Sequence, residues 1–265
     1  MLDELIYGII IAFIVVFGLC FGSFLNVVIY RLPNNMNIAF PSSHCPNCNY
    51  KLKWYDNIPV LSYIILKGKC RNCKEKISPR YMIVEILTAI LILVCYLKFD
   101  LSLMFILSSI AVMVYICITF IDSKHYIIPD SLNIILGIIG IFSLFCKMKK
   151  GNLIIDWQDK LIGLGVGILL TAIFILIEKV LKKEVIGGGD LKLILATSLF
   201  LGWQLMLLGI FLGSFIACLI EIPLSRNEKL RENHQLPFGP YLVGGFLISL
   251  FVGMNIIEWY LSILF

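Results

Sequence analysis

Charge is scarce in this chain. Asp, Glu, Lys and Arg make up 15% of its 265 residues, against about 25% in an average soluble domain. What charge there is falls in a few loops, and the stretches between them are almost wholly apolar. Hydrophobic residues reach 60% and the mean hydropathy is +0.95, a pattern that excludes an ordinary soluble fold. No basic residue precedes the first apolar run and no small-x-small site closes it, which argues against a cleaved secretory signal. No glycine-rich nucleotide loop follows a soluble strand. No internal repeat with interrupted helices, of the kind many transporters carry, is evident.

What the chain has is apolar runs of membrane-crossing length. Counting stretches of about 20 residues predicts spans at 5–28, 81–97, 102–121, 131–147, 160–178, 191–202, 204–222 and 241–264. The run from 191 to 222 is broken only at Leu201-Gly202-Trp203-Gln204, so it reads as two short helices or one long bent one, giving eight spans or seven. The expected fold is an all-α polytopic membrane protein of about eight helices. With the N-terminus outside, the segments 29–80, 122–130, 179–192 and 223–240 face the cytoplasm and hold 17 of the 22 Lys and Arg, as the positive-inside rule requires. Lys98, Lys147, Lys149, Lys150 and Lys160 fall outside. The net charge of +5 is thus mostly a matter of topology and does not argue for a nucleic-acid partner; the expected surroundings are membrane lipid.

The nine cysteines fall into two groups. Cys20, Cys95, Cys117, Cys146 and Cys218 sit singly in or beside apolar runs, where a cysteine packs as a small hydrophobe. Cys45, Cys48, Cys70 and Cys73 lie in the one large polar loop as CPNC and CRNC, 21 residues apart. Two such knuckles suit a tetrahedral thiolate site for zinc, and in so small a loop metal binding would supply much of the folding free energy. Two disulfides, or free thiols, are the alternative; a reducing compartment argues against the disulfides. His44 could compete as a ligand, though beside four cysteines it reads as a bystander. A closed site of this kind offers no open coordination position, so the loop is expected to be a small zinc-ribbon-like scaffold rather than a reaction centre.

Acidic residues at the edge of an apolar run invite a functional reading. Glu85 follows Arg80 by about one turn, where pairing with a basic neighbour or snorkelling is the plain explanation. Asp130 follows Pro129 at the start of a run, a common way to begin a helix. Asp122 closes its run, where the helix dipole disfavours a carboxylate and capping explains little. Asp190 ends GGGD and opens the next run, a place where it could cap a helix and also carry chemistry. On the expected topology Asp122 and Asp190 share the cytoplasmic edge. Two carboxylates there could share one proton and activate water, with Gly187, Gly188 and Gly189 letting an extended substrate lie close to the backbone. The dipoles predict that Asp122, at a helix C-terminus, keeps the shared proton and that Asp190, at an N-terminus, activates water.

Several motifs in order resemble those of the type IV prepilin peptidases, bacterial members of the GxGD class of intramembrane aspartyl proteases. They are FGSFLNVVIYRLP at 21–33, CPNC…WYDNIPVLSYIILKGKCRNC…ISPRY at 45–81, IDSKHYIIPD at 121–130, GGGD at 187–190 and LPFGPYL at 236–242. The resemblance implies catalytic roles for Asp122 and Asp190. It also implies cleavage of a short basic leader from prepilins or pseudopilins at the cytoplasmic face of the inner membrane. Relatives with the cysteine loop usually also methylate the new N-terminus, so S-adenosylmethionine is an implied cofactor. The expected organisation is a first transmembrane helix (1–28), a cytoplasmic zinc-binding domain (29–80) and a transmembrane protease domain (81–265). A proton-coupled transporter, with carboxylates as a relay, and a non-catalytic zinc-ribbon scaffold are the competing readings. The first would want carboxylates at mid-membrane, and the second leaves Asp122 unexplained.

Overall fold

The computed structural model describes residues 2–150, 153–183, 185–225 and 237–264. Residues 226–236 of the expected cytoplasmic segment 223–240, including Leu236 of LPFGPYL, lie outside the described residues. The chain divides into two compact units, 1–101 and 102–265.

The first unit rests on two long helices, α1 (Leu2–Arg31) and α3 (Arg80–Phe99). Gly18 and Gly22, four residues apart on α1, let the α3 backbone come close: a Cβ on Gly18 would lie 2.6 Å from Ala89 Cα, and one on Gly22 2.5 Å from Glu85 Cα. Small residues at this spacing are the usual means of close helix packing in lipid. The sequence reading opens the protease domain at residue 81, whereas α3 is part of the compact unit that holds α1. Between these helices lie the cysteine loop, a 3₁₀ turn (Trp54–Asn57) and the short α2 (Leu61–Ile65). Among the described residues Glu85 has no basic partner of the kind its position suggested; its Oε2 accepts the Val60 N–H at 2.7 Å at the start of α2. It is therefore a buried carboxylate satisfied by backbone.

The second unit is built around α4 (Leu103–His125), whose buried residues include Tyr115, Ile118 and Ile121. Ser102 caps its start by accepting the Phe105 N–H. The remaining helices are α5 (Asp130–Ser143), α6 (Trp157–Leu181), α7 (Gly188–Leu201), α8 (Trp203–Ser225), α9 (Gly239–Ile248) and α10 (Met254–Leu264), the last two joined by a π turn at Ser249–Gly253. Gly202, at φ +80°, ends α7, so the run from 191 to 222 is two helices. Tyr115 on α4 donates its hydroxyl hydrogen to Thr197 on α7 at 3.1 Å, a buried polar tie in an otherwise apolar core. Among the described residues six helices, with α9 and α10 taken as one, are long and apolar enough to cross a membrane; α5 is shorter, as is α7, with 14 residues each.

Two local features depart from the sequence reading. The run 131–147 leaves the helix after Ser143, and Met148–Lys150 pairs antiparallel with Leu153–Ile155 in a small hairpin. Lys160, counted among the exceptions to the charge rule, is buried, and its ammonium donates to the carbonyls of Ser143 and Cys146. A cation at a helix C-terminus satisfies orphan carbonyls, so this lysine serves packing rather than orientation.

Helices α8 and α9 meet through glycine. A Cβ on Gly245 would overlap the Gly209 carbonyl, while one on Gly244 would meet nothing within 4 Å. Gly245→Val should therefore destabilise the folded protein by about 1–3 kcal/mol, the usual cost of overpacking, and Gly244→Val should not. Thermal unfolding of the two purified variants checks this, and equal melting temperatures would contradict it.

Candidate active site

Three helix ends converge in the second unit. Asp122 lies in the last turn of α4, which stops at Tyr126, a left-handed C-cap at φ +55° whose N–H returns to the Asp122 carbonyl at 2.9 Å. The Asp122 side chain is buried and its Oδ2 accepts the Gly239 N–H at 3.0 Å. Gly239 is the first residue of α9, so the positive end of that helix meets the carboxylate. Its bareness matters: a Cβ there would lie 2.7 Å from Asp122 Oδ2 and 3.2 Å from Ile128 Cδ1.

Asp190 lies in the first turn of α7. Gly187 is the N-cap, without a side-chain cap, so Asp190 is the third helical residue and does not cap. It is half-buried, the charge of Asp122 reaches it, and its buried Oδ1 has no hydrogen-bond partner among the described residues. Buried polar atoms are normally satisfied, and an exception asks for an explanation such as a water or substrate group.

The glycines before Asp190 serve space rather than unusual backbone angles; Gly187 has φ −59° and the next two are helical. A Cβ on Gly187 would lie 2.9 Å from Asp190 Oδ2, one on Gly189 3.1 Å from Ile128 Cβ, and one on Gly188 would meet nothing within 4 Å. Ile128, in the α4–α5 loop, thus packs against both the glycine loop and Gly239. The loop's approach is held by Glu178 near the end of α6, whose Oε1 accepts the N–H groups of Val185 and Ile186, each at 3.1 Å. Gly239, Ile128 and Glu178 were given no role in the sequence reading. Only Gly239 had a usable signal, a Phe-Gly-Pro directly before an apolar run. Asp130 stands apart, beginning α5 and pairing with Lys192 at 2.7 Å on an exposed surface.

The dipole expectation for the shared proton omitted α9. Asp122 sits at the negative end of α4 but receives a backbone donor from the positive end of α9, and a hydrogen bond to a carboxylate favours its ionised form. Asp190 receives no such donor on Oδ1. The two carboxylates thus differ in their donors: Asp122 has a backbone N–H on Oδ2, and Asp190 has none on Oδ1 among the described residues.

The cysteine loop, in the first unit, is a separate centre. The Sγ atoms of Cys45, Cys48, Cys70 and Cys73 lie within 4.8 Å of one another, with Cys45–Cys73 and Cys48–Cys70 at 3.9 Å, and none is in a disulfide. Zinc–sulfur bonds of about 2.3 Å in a tetrahedron require sulfurs roughly 3.8 Å apart, so the donor set fits the ion. The two knuckles repeat one backbone plan. Cys45 N–H bonds the Tyr50 carbonyl and Cys70 N–H the Glu75 carbonyl, while Asn49 and Lys74 return to Cys45 and Cys70 and take positive φ. Each knuckle also lends an amide to the other's sulfur, Asn47 to Cys73 at 3.9 Å and Asn72 to Cys48 at 3.7 Å. The backbone N–H of Tyr50 leads in holding the Cys48 thiol down at about 6. Cys73 is drawn down by the Glu75 N–H, yet burial and the neighbouring thiols push it up to about 11. Four sulfurs this close cannot all ionise without a cation. His44 points elsewhere, its Nδ1 lying 3.1 Å from the Ser42 carbonyl.

Comparison with known proteins matches both units. Residues 16–99 match the bacterial peptidase A24 N-terminal domain, and 109–222 match the type IV leader peptidase family. A protein of Myxococcus xanthus is 36% identical over 84% of this chain and 67% of its own length. One of Aeromonas salmonicida is 33% identical over 93% and 92%, and one of Pseudomonas aeruginosa 31% over 94% and 92%. This chain belongs to the type IV leader peptidase family. Each of those three relatives is named a prepilin leader peptidase/N-methyltransferase. No solved structure matches the chain significantly.

The spacing around the glycines gives an ordered expectation. Gly188→Ala should cleave substrate at nearly the normal rate. Gly187→Ala should lose activity by displacing the Asp190 carboxylate, and Gly189→Val by displacing Ile128, with insertion into the membrane intact in each case. Initial cleavage rates in purified variants check this; equal rates for all three would reduce the loop to a turn.

Proposed function

We propose that this chain is a membrane endopeptidase that removes the leader from type IV prepilins or pseudopilins, with Asp122 and Asp190 as its catalytic pair. The new N-terminus is then methylated with S-adenosylmethionine as donor. The protein is a multi-pass protein of the inner membrane, and its peptidase site opens to the cytoplasmic face. The observation that carries the proposal is a buried carboxylate held by a helix N-terminus, beside a second carboxylate with an unpartnered oxygen. In this reading residues 1–28 anchor the chain, 29–80 bind zinc and 81–265 carry the peptidase, with both aspartates in the compact unit 102–265.

The chemistry follows from the hydrogen bonds. Ionised Asp122, kept in that form by the Gly239 N–H, takes a proton from water. Protonated Asp190 donates its proton to the scissile carbonyl oxygen as the water oxygen attacks the carbonyl carbon. The resulting diol collapses as one of its O–H protons returns to Asp190, the C–N bond breaks, and the proton on Asp122 passes to the leaving amine. Gly187 and Gly189 keep side chains off the Asp190 carboxylate and Ile128, so that both hold their places beside an extended substrate. Zinc, when bound to Cys45, Cys48, Cys70 and Cys73, is structural: four thiolates close its coordination, and Asn47 and Asn72 orient the sulfurs.

Two sets of measurements test these roles. Asp122→Asn and Asp190→Asn should each abolish detectable prepilin cleavage while leaving the protein folded. The pH profile of the normal enzyme should be bell-shaped, because activity needs one proton on the pair: it falls when both carboxyls are protonated at low pH and when both are ionised at high pH. Infrared detection of a carboxylic-acid band lost in Asp190→Asn supports the proton assignment, and its loss in Asp122→Asn alone would reverse the two roles. Metal analysis should find one zinc per chain. Cys70→Ser should release it and raise hydrogen exchange across 43–77, while cleavage falls by less than about 10-fold, through positioning alone. Purified protein without zinc, with its cysteines in disulfides, would overturn the metal assignment.

A further inference from the structure

The first unit contains a cavity of about 660 Å³, within the roughly 300–1,000 Å³ range of small-molecule sites. Its walls come from the C-terminal half of α1, the start of α3 and the cysteine loop, and they include Asn26, Val27, Tyr30, Lys76, Met82 and Glu85. The peptidase chemistry makes no use of it, since both aspartates belong to the other unit. The mixed lining, with carboxylate, amide, ammonium and aromatic groups among apolar ones, suits a polar organic ligand better than a lipid chain.

Asn26 is the informative residue. It is 3% exposed, and its Nδ2 donates to the Gly22 carbonyl at 3.3 Å and the Tyr81 carbonyl at 3.0 Å. Turning the amide over would set its oxygen against two carbonyl oxygens, so its orientation is fixed by its surroundings. The Oδ1 atom is left buried without a partner among the described residues. An unmet acceptor of this kind asks for a donor such as an amino group. Glu85 and Tyr30 add what a cation requires: a carboxylate, and a ring face that attracts positive charge. A ligand with amino donors and a positive centre fits this set.

We propose that this cavity is the binding site of the methyl donor, an adenosyl sulfonium, with Asn26 accepting from an amino group and Glu85 and Tyr30 facing the positive end. The inference rests on the methyltransferase reading and adds the residues. In the reaction it serves, the lone pair of the new N-terminal amine forms a bond to the methyl carbon. The carbon–sulfur bond breaks with its electron pair going to sulfur, which becomes a neutral thioether, and the amine loses a proton to water.

The test uses the purified full chain loaded with zinc, and S-adenosylmethionine as the probe. Calorimetric titration should show Val27→Trp, which fills the cavity, weakening binding at least about 10-fold, and Asn26→Leu weakening it by a similar factor. Zinc content and helicity report whether each variant is folded. Ultraviolet cross-linking of radiolabelled donor to the unaltered protein gives a second measurement, with label expected on peptides within 20–31 or 76–86. Unchanged affinity in both folded variants, or label confined to 102–264, would overturn the site while leaving methylation by the normal enzyme standing. Failure of the unaltered protein both to bind the donor and to methylate a cleaved prepilin would instead overturn the methyltransferase reading, and the site with it.

Discussion

The hydrogen bond from the Gly239 backbone to Asp122, at 3.0 Å across 117 residues of sequence, is the contact on which the candidate site depends. A carboxylate in the last turn of a helix faces the helix's own negative end, and burying it there without a donor is costly. The start of α9 removes that conflict, because a helix N-terminus has N–H groups with no partner inside the helix. Only glycine permits the approach, and Ile128 packs into the same corner from the α4–α5 loop. The ends of α4, α7 and α9 thus define one another's positions, and α8 fixes α9 through backbone contacts at Gly209 and Gly213.

Much of this was legible in the sequence, and the remainder fails for a common reason. Apolar runs fix helices because lipid leaves the backbone few other solutions, and paired C-x-x-C knuckles name their chemistry through the side chains. Asp122 and Asp190 stood out because a carboxylate at the hydrocarbon edge is costly. By contrast, the partners of those carboxylates are backbone N–H groups and bare glycine surfaces, which carry no residue-type signature. Glu85 shows the same thing: the sequence suggested a basic partner, and the structure supplies the Val60 N–H. The dipole argument for the proton used the helix that carries Asp122 and could not see the donor that arrives from α9. Lys160 looked like an exception to the charge rule and instead caps the end of α5, since the chain turns back into a hairpin just beyond Ser143.

The cysteine loop shows how a segment with little apolar core holds a shape. Its two knuckles have the same backbone hydrogen bonds, the same positive-φ residue after the second cysteine and reciprocal amide contacts to sulfur. Asp56 adds a buried carboxylate that pairs with Arg71 at 2.7 Å, tying the 3₁₀ turn to the second knuckle. Order here comes from local geometry converging on one point, and a cation at that point would relieve the mutual repulsion of four thiolates.

The shortness of α5 bears on the lipid around it. Fourteen residues rise about 21 Å, against a hydrocarbon core of about 30 Å. One face of α5 presents Ile134, Ile138 and Ile141 outward, so this helix meets the bilayer directly, and its first turn carries the exposed Asp130–Lys192 ion pair. An ion pair is costly among acyl chains, and a bilayer that thins beside so short a helix, or lets headgroups and water follow its end inward, would keep the pair solvated. That dimple would open next to the corner where Asp122 and Asp190 lie, and hydrolysis consumes water. Hydrophobic mismatch would thus bring a reactant to an enzyme embedded in oil, and make bilayer thickness a variable of its turnover.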